Sequence, residues 1–237
     1  MQGVSFFKDG KTVSSETLLK MEVRRARQMM ATLARKLDAE AMAKLFADEI
    51  AANAARQLEW RREGKFAESV AFAHVAEGSA AEFLQWSATG YLQANTAAML
   101  RAHPEHLGVL QFPDGRIGVL EVTGHSSEHG PELLRARRLE DWTGVPIPLQ
   151  PDMPYRLMAR SESEDGQLVG YLLHEYRDTN PGFDARLAIY WSAGAPEAMV
   201  AGHSDHLMLE FANWFEMYLQ TRKQPPDLMP LALTVNT

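Results

Sequence analysis

The sequence predicts an α+β fold with three to four N-terminal helices, an antiparallel β-meander containing one crossing helix, and a C-terminal helix packed on the sheet. Residues 1–103 show mainly helical spacing of apolar side chains. From Leu107 onward, short apolar runs are separated by tight-turn sequences, and residues 204–222 return to helical spacing. We therefore expect a helical subdomain over 1–104 and an antiparallel α+β subdomain over 105–237, with one continuous domain as the alternative.

The first part of the chain reads as a short strand followed by two helices. Residues 4–7 form the strand candidate. Ser14 or Ser15 can cap a helix that opens with Glu16, whose charge suits the positive helix N-terminus. Asp38 can cap the next helix in the same way.

Two more helices are predicted before the spacing of apolar residues changes from helical to strand-like. Residues 66–77 read as a short helix, although 70–75 is also compatible with an extended strand. Residues 79–82 form a capping-box pattern, so a further helix should begin there. That helix must end before Pro104, because a residue preceding proline disfavours helical dihedral angles.

The sequence of the second half of the chain predicts β-hairpins. Apolar runs at 108–112 and 116–123 flank Pro113, Asp114 and Gly115, a strong turn sequence. Pro131 suits the first turn of a helix, which is the predicted crossing helix. The remaining strands are predicted at 155–160, 167–176, 186–191 and 198–201.

The C-terminal helix is apolar around most of its circumference. Leu207, Phe211, Trp214 and Tyr218 recur at helical spacing. Such a helix is expected to be a buried central post of the domain, with a partner or dimer interface as the alternative. We expect its polar residues to be exposed to solvent, namely His206, Glu210, Asn213 and Gln220.

Composition and charge exclude several classes of protein. The 237 residues are 46% hydrophobic and 23% charged, and contain no cysteine, which removes disulfides and thiolate metal sites. The N-terminus lacks a signal-peptide-like apolar segment, so we expect a cytoplasmic protein without membrane association. The net charge is about +2 over residues 1–104 and −9 over 105–237, which disfavours nucleic acid and suits a basic protein partner. A solvated acidic surface is the alternative.

The sharpest candidate site is His125, Glu128 and His129, which match the H-x-x-E-H pattern of inverted zinc metallopeptidases. In that chemistry two histidines bind zinc and the glutamate activates water. Gly124 and Gly130 flank the motif and disfavour the helix that it needs. A polar loop is therefore the favoured interpretation.

A second candidate combines His203, His206 and Glu210, which could bind zinc or nickel. The favoured alternative is a helix capped by Ser204 with His206 and Glu210 as an exposed pair.

Three further features receive structural interpretations. The segment His103, Pro104, Glu105 and His106 is interpreted as a helix-ending loop. His174, within an apolar strand, is interpreted as a core residue. The cluster of Arg135, Arg137 and Arg138 is interpreted as a solvated helix face.

No nucleophile-elbow, phosphate-loop or dinucleotide motif occurs in the sequence. We therefore favour a non-enzymatic protein-interaction module, such as an inhibitor, an immunity protein or an adaptor that binds a basic protein, with a homodimer also compatible. The first alternative is a metal-dependent hydrolase that uses His125, Glu128 and His129 with zinc, with His203 or His206 as a further ligand. The second is a small-molecule sensor whose pocket is lined by Trp142, Tyr171, Trp191 and Trp214.

Overall fold

The computed structural model describes residues 6–34, 36–92, 103–123 and 130–223. Over these residues the chain forms nine strands and five helices. The strands are β1 Phe6–Lys8, β2 Lys11–Val13, β3 Phe66–Val75, β4 His106–Gln111, β5 Ile117–Glu121, β6 Glu132–Arg138, β7 Tyr155–Glu162, β8 Leu168–Asp178 and β9 Phe183–Ser192. The helices are α1 Ser15–Ala34, α2 Ala39–Leu45, α3 Ala47–Glu59, α4 Ala80–Leu92 and α5 Glu197–Arg222.

A seven-stranded antiparallel sheet is the centre of the fold, in the order β3-β9-β8-β7-β6-β5-β4. Strands β4 to β9 follow one another as neighbours, which is the predicted meander, and β3 joins at the β9 edge. Strands β1 and β2 form a separate two-stranded hairpin. The predicted α+β fold with a C-terminal helix packed on the sheet is confirmed.

The prediction of a helix over residues 66–77 is wrong, because this segment forms β3. It pairs with β9 along its whole length, from Phe66 opposite Ser192 to Val75 opposite Phe183. The ladder satisfies backbone groups that a short isolated helix would leave at its ends. Long-range pairing therefore overrides the weak local preference of this alanine-containing segment.

The prediction of a crossing helix from Pro131 is also wrong. Glu132–Arg138 is β6, paired with β5 on one side and β7 on the other. The short strand expected at 198–201 instead lies within α5, which begins at Glu197 after Pro196. Helix α5 is thus longer at its start than the sequence predicts.

Helix α5 packs on the sheet through aromatic side chains. Phe211, Trp214 and Tyr218 are buried, and they belong to a core that also contains Phe83 of α4 and Phe183 of β9. The expected burial of this helix against the sheet is confirmed.

Helix α5 is also fixed to the β3 edge by two serines. The Ser204 hydroxyl accepts the N–H of Val70 at 3.0 Å, and the Ser69 hydroxyl donates to the carbonyl of Val200 at 2.6 Å. Ser204 therefore lies inside the helix and holds β3, instead of capping the helix as the sequence suggested.

The prediction of a helical N-terminal part is confirmed only in part. Helices α1 to α4 are present, but β1, β2 and β3 lie among them. The division of the chain near residue 104 stays a prediction. In the described part of the chain, no helix is both long enough and apolar enough to cross a membrane.

Candidate metal centre

Neighbouring strands β4 and β5 place two site residues side by side. His106 opens β4 and Glu121 closes β5, and the two residues are opposite each other in the antiparallel register. Opposite residues in such a pair extend their side chains from the same face of the sheet. Both side chains are buried.

Helix α5 supplies the other half of the site. His203, His206 and Glu210 are spaced by three and four residues, so they lie on one side of the helix. All three are buried, with exposed fractions of 3%, 3% and 6%. The expected exposed His206–Glu210 pair is therefore wrong, because this polar side of α5 faces polar side chains from the sheet.

Four donor atoms converge between β4, β5 and α5. The Nε2 atom of His106 lies 3.1 Å from Nε2 of His206, 3.1 Å from Oε2 of Glu121 and 3.6 Å from Oε1 of Glu210. The Nε2 atom of His206 is 3.7 Å from the same Glu121 oxygen. These atoms come from three separate elements.

The spacing of these atoms matches that of ligands around a single ion. Histidine and carboxylate ligands lie about 2.0–2.2 Å from zinc, so neighbours in a tetrahedral shell are about 3.4 Å apart. Four of the six pairwise separations, at 3.1–3.7 Å, surround this value.

Glu105 orients one of the two histidines. Its Oε2 atom lies 3.0 Å from Nδ1 of His206, and its side chain is 36% exposed. When Nδ1 donates to this carboxylate, the lone pair of the neutral ring remains on Nε2, the atom that faces His106. A carboxylate behind a histidine in this way is the usual outer-shell partner of a metal-binding imidazole.

Two more histidines flank His206. The ring of His103 stacks on it with centroids 3.9 Å apart, and the ring of His203 lies on it at 4.9 Å and only 10° from parallel. Nε2 of His103 and Nδ1 of His203 are buried, and neither has a hydrogen-bond partner among the described residues. The segment interpreted as a helix-ending loop thus contributes two buried histidines, His103 and His106.

The site combines one ionised carboxylate, Glu121, with two neutral imidazoles, those of His103 and His203. Burial alone would raise the pKa of Glu121, but His206 and His106 outweigh it and lower that pKa to about 2. Burial lowers the pKa of His103 and of His203 to about 3, and His206 adds to both shifts. Burial would also lower the pKa of His206, but Glu121, Glu105 and Glu210 together raise it. The carboxylates therefore favour a positive charge at the position of His206.

Glu132 carries a buried carboxyl group that is not one of the four converging donors. It lies opposite Glu121 in the β5–β6 pairing and accepts a hydrogen bond from Gln57. Burial, reinforced by Glu121, raises the pKa of Glu132 to about 8. The carboxyl of Glu132 is therefore mainly protonated at neutral pH, so only Glu121 of this pair carries a charge.

A cavity of about 80 Å³ adjoins the converging atoms. Glu121, His206 and Glu210 line it on the side of the donor atoms, and His174 and His203 also line it. The apolar part of the lining includes Val119, Leu134, Leu172 and Leu207.

The other predicted site residues do not join this cluster. His125, Glu128 and His129 lie outside the described residues. Of the four aromatic residues expected around one pocket, Tyr171 and Trp191 line the cavity. Trp142 packs against Tyr171 in a separate core cluster, and Trp214 lies in the main core.

The arginine cluster lies on strand β6, not on a helix face. Arg135, Arg137 and Arg138 pair with Glu164, Glu162 and Glu140, respectively. These arginines therefore serve as ion-pair partners on the sheet.

Sequence reasoning identified His203, His206 and Glu210 as a group but missed that Glu121 and His106 lie beside His206 and Glu210. The available signal was Glu121 itself, a carboxylate at the end of an otherwise apolar strand. A buried charge in such a place needs a partner.

Comparisons with known proteins do not assign this chain to a family. No family model matches the chain, and no curated protein matches it. Among solved structures, an uncharacterized protein from Rhizobium leguminosarum is similar, with a TM-score of 0.38 and 14% sequence identity. The match covers 66% of this chain and 96% of the other.

Proposed function

We propose that this protein binds one divalent transition-metal ion, with zinc the best fit, through His106, Glu121, His206 and Glu210. The observation that carries the proposal is the convergence of their four donor atoms, with separations of 3.1–3.7 Å, in a buried space. Ligand atoms from His106, His206 and Glu210 all lie within 4.8 Å of one another.

Charge balance supports a cation at this position. Two buried carboxyl groups, Glu121 and Glu210, face the two imidazole rings, and burying unbalanced charge costs several kcal/mol per ion. Burial raises the pKa of Glu210, and a bound cation would offset this cost of ionising it. A proton shared between the rings of His106 and His206 would supply a single positive charge. A divalent ion supplies two and binds both nitrogen lone pairs.

The donor set narrows the choice of ion. Two imidazole nitrogens and two carboxylate oxygens suit zinc and its first-row neighbours, whereas magnesium and calcium prefer oxygen donors. Zinc accepts a tetrahedral shell of nitrogen and oxygen ligands without a further electronic preference. The four separations of 3.1–3.7 Å that join His106 to the other three residues and His206 to Glu121 fit that shell.

The direct test is metal analysis of protein that has been purified without a histidine tag, stripped with a chelator and reloaded with zinc. We expect about one equivalent of zinc per chain after gel filtration, because buried sites of this kind bind tightly. His106→Gln and Glu121→Gln should each lower the bound zinc. The matched controls are His74→Gln and Glu140→Gln, since both side chains are largely exposed. Less than about 0.2 equivalents in the wild-type protein would overturn the proposal.

The protein-interaction module that binds a basic partner stays a prediction, and one feature favours it. Helix α1 leaves four large apolar side chains 42–61% exposed, namely Leu19, Val23, Met29 and Leu33. Together with the acidic second half of the sequence, this surface supports a protein partner whose association is weakened by salt. Pull-downs at low and high salt test it, and recovery of no basic protein at low salt would contradict it. The hydrolase on His125, Glu128 and His129 and the sensor also stay predictions.

A further inference from the structure

The cavity beside the converging donor atoms is lined by two imidazole rings in addition to proposed ligands. Glu121, His206 and Glu210 line it and belong to the proposed metal centre. His174 and His203 also line it but are not among the four ligands. A molecule in the cavity can therefore contact both the proposed ligands and two further imidazole rings.

The tautomer of His174 is set by the sheet. Its Nδ1 atom accepts the backbone N–H of Ala188 at 3.2 Å, so the proton of the neutral ring is on Nε2. Burial lowers the pKa of His174 to about 3, which keeps the ring neutral. His174 can therefore offer one N–H donor without bringing a charge into the cavity.

His203 adds a polar atom that needs a partner. Its Nδ1 is buried and has no hydrogen-bond partner in the described part of the chain. Its ring packs edge-on against Trp191 at 5.0 Å and face-on against His206 at 4.9 Å, which fixes its position. Because buried polar atoms are rarely left unpaired in folded proteins, this nitrogen indicates a bound group.

The size of the cavity limits what can bind. Its volume is about 80 Å³, whereas pockets for drug-sized ligands measure about 300–1,000 Å³. Leu134, Leu172 and Leu207 line its apolar part.

We propose that this cavity binds a small anion of about one to four non-hydrogen atoms, such as hydroxide, azide or formate, as a fifth ligand of the metal ion that is hydrogen-bonded to His203 or His174. The inference rests on the proposed metal site. It adds an exchangeable ligand to the four protein ligands, because zinc sites can expand from four-coordinate to five-coordinate. His203 and His174 act as positioning residues for that ligand.

The experiment uses Co²⁺ in place of zinc, since its visible absorption bands report changes in coordination. Azide added to the Co²⁺-loaded protein should shift these bands in a saturable manner. Formate should compete with azide, whereas benzoate, with the same carboxylate but a larger body, should not. This pair tests the size limit on the wild-type protein and does not depend on any variant folding.

His203→Phe tests the positioning role, because phenylalanine keeps the ring that packs on Trp191 and removes both nitrogens. We expect azide affinity to fall by about tenfold, the value of one hydrogen bond to a charged group, with Co²⁺ affinity within about twofold of wild type. His74→Phe, at an exposed histidine, should change neither value.

The outcomes separate the two proposals. If Co²⁺ does not bind, the proposed metal site is overturned. If Co²⁺ binds but azide leaves its bands unchanged, the metal site stands and the anion site is overturned. Equal binding of benzoate and formate overturns the size limit, and equal azide affinity in His203→Phe overturns the role of His203.

Discussion

The Nε2 atoms of His106 and His206 lie 3.1 Å apart although the residues are separated by 100 positions in the chain. His106 lies on the edge strand β4, and His206 lies on α5, whose serine contacts hold β3 at the other edge of the sheet. An ion bound by both histidines would therefore link the β4 edge to the helix that spans the sheet. Metal binding should stabilise the whole fold.

Zinc should raise the free energy of unfolding of the wild-type protein. At a free zinc concentration about 100 times the dissociation constant, the expected gain is about 2.7 kcal/mol, because zinc binds the folded state and the unfolded chain lacks the site. Urea unfolding of stripped protein, with and without zinc, measures this gain. Glu121→Gln should lose most of it, and magnesium should not reproduce it. An equal gain in Glu121→Gln would rule out Glu121 as a ligand.

Glu105→Gln should weaken zinc binding without abolishing it. The Glu105 carboxylate lies 3.0 Å from Nδ1 of His206 and favours the tautomer that presents Nε2 to the ion. Loss of such outer-shell carboxylates typically costs about 10–100-fold in metal affinity. Calorimetric titration with zinc measures the change, and Glu140→Gln serves as the exposed control. Wild-type affinity in Glu105→Gln would show that the His206 ring is oriented by its stacking neighbours instead.

The sequence predicted the fold class because the strongest local patterns agree with the final structure. The Pro113, Asp114 and Gly115 turn does join β4 to β5, and the aromatic residues of α5 are buried. The errors over 66–77 and after Pro131 arise where local preference is weak. There, pairing with distant strands decides the conformation, and a single sequence does not show those pairings.

The site was predicted in part for a related reason. A helical wheel places His203, His206 and Glu210 together, but polar residues on one side of a helix normally face water. Here that side faces His106 and Glu121, which depend on the register of β4 and β5. The buried polar cluster breaks the simple rule of apolar inside and polar outside, and such exceptions are concentrated at functional sites.

His174→Gln should make the protein less sensitive to mild acid. The pKa of His174 is about 3 in the folded state and about 6.5 ordinarily, so between these values the unfolded chain binds one more proton. The contribution of His174 is therefore fully present above about pH 6.5 and is lost as the pH falls toward 3. From pH 7 to pH 5 this loss is about 2 kcal/mol, and glutamine, which cannot titrate, should remove it.

Urea unfolding at pH 7 and pH 5, with chelator present to remove metal effects, measures the difference. Glutamine can still accept the N–H of Ala188, so the variant should fold. Met208→Ala, at a half-exposed residue that does not titrate, is the control and should leave the pH dependence as in wild type. An unchanged pH dependence in His174→Gln would show that the ring is protonated without cost in the folded state.

Trp214→Ala should destabilise the monomer by about 3–5 kcal/mol, the usual cost of deleting a large buried aromatic side chain. Trp214 is 5% exposed, and its ring lies 5.2 Å from that of Phe211 in the main core. Met208→Ala on the same helix should cost less than about 0.5 kcal/mol, because Met208 is half exposed. Urea unfolding and sedimentation of both variants decide between two roles for this face. A Trp214→Ala protein of full stability that has lost self-association would assign the face to a dimer interface, whereas a destabilised monomer identifies α5 as the buried post of the sheet.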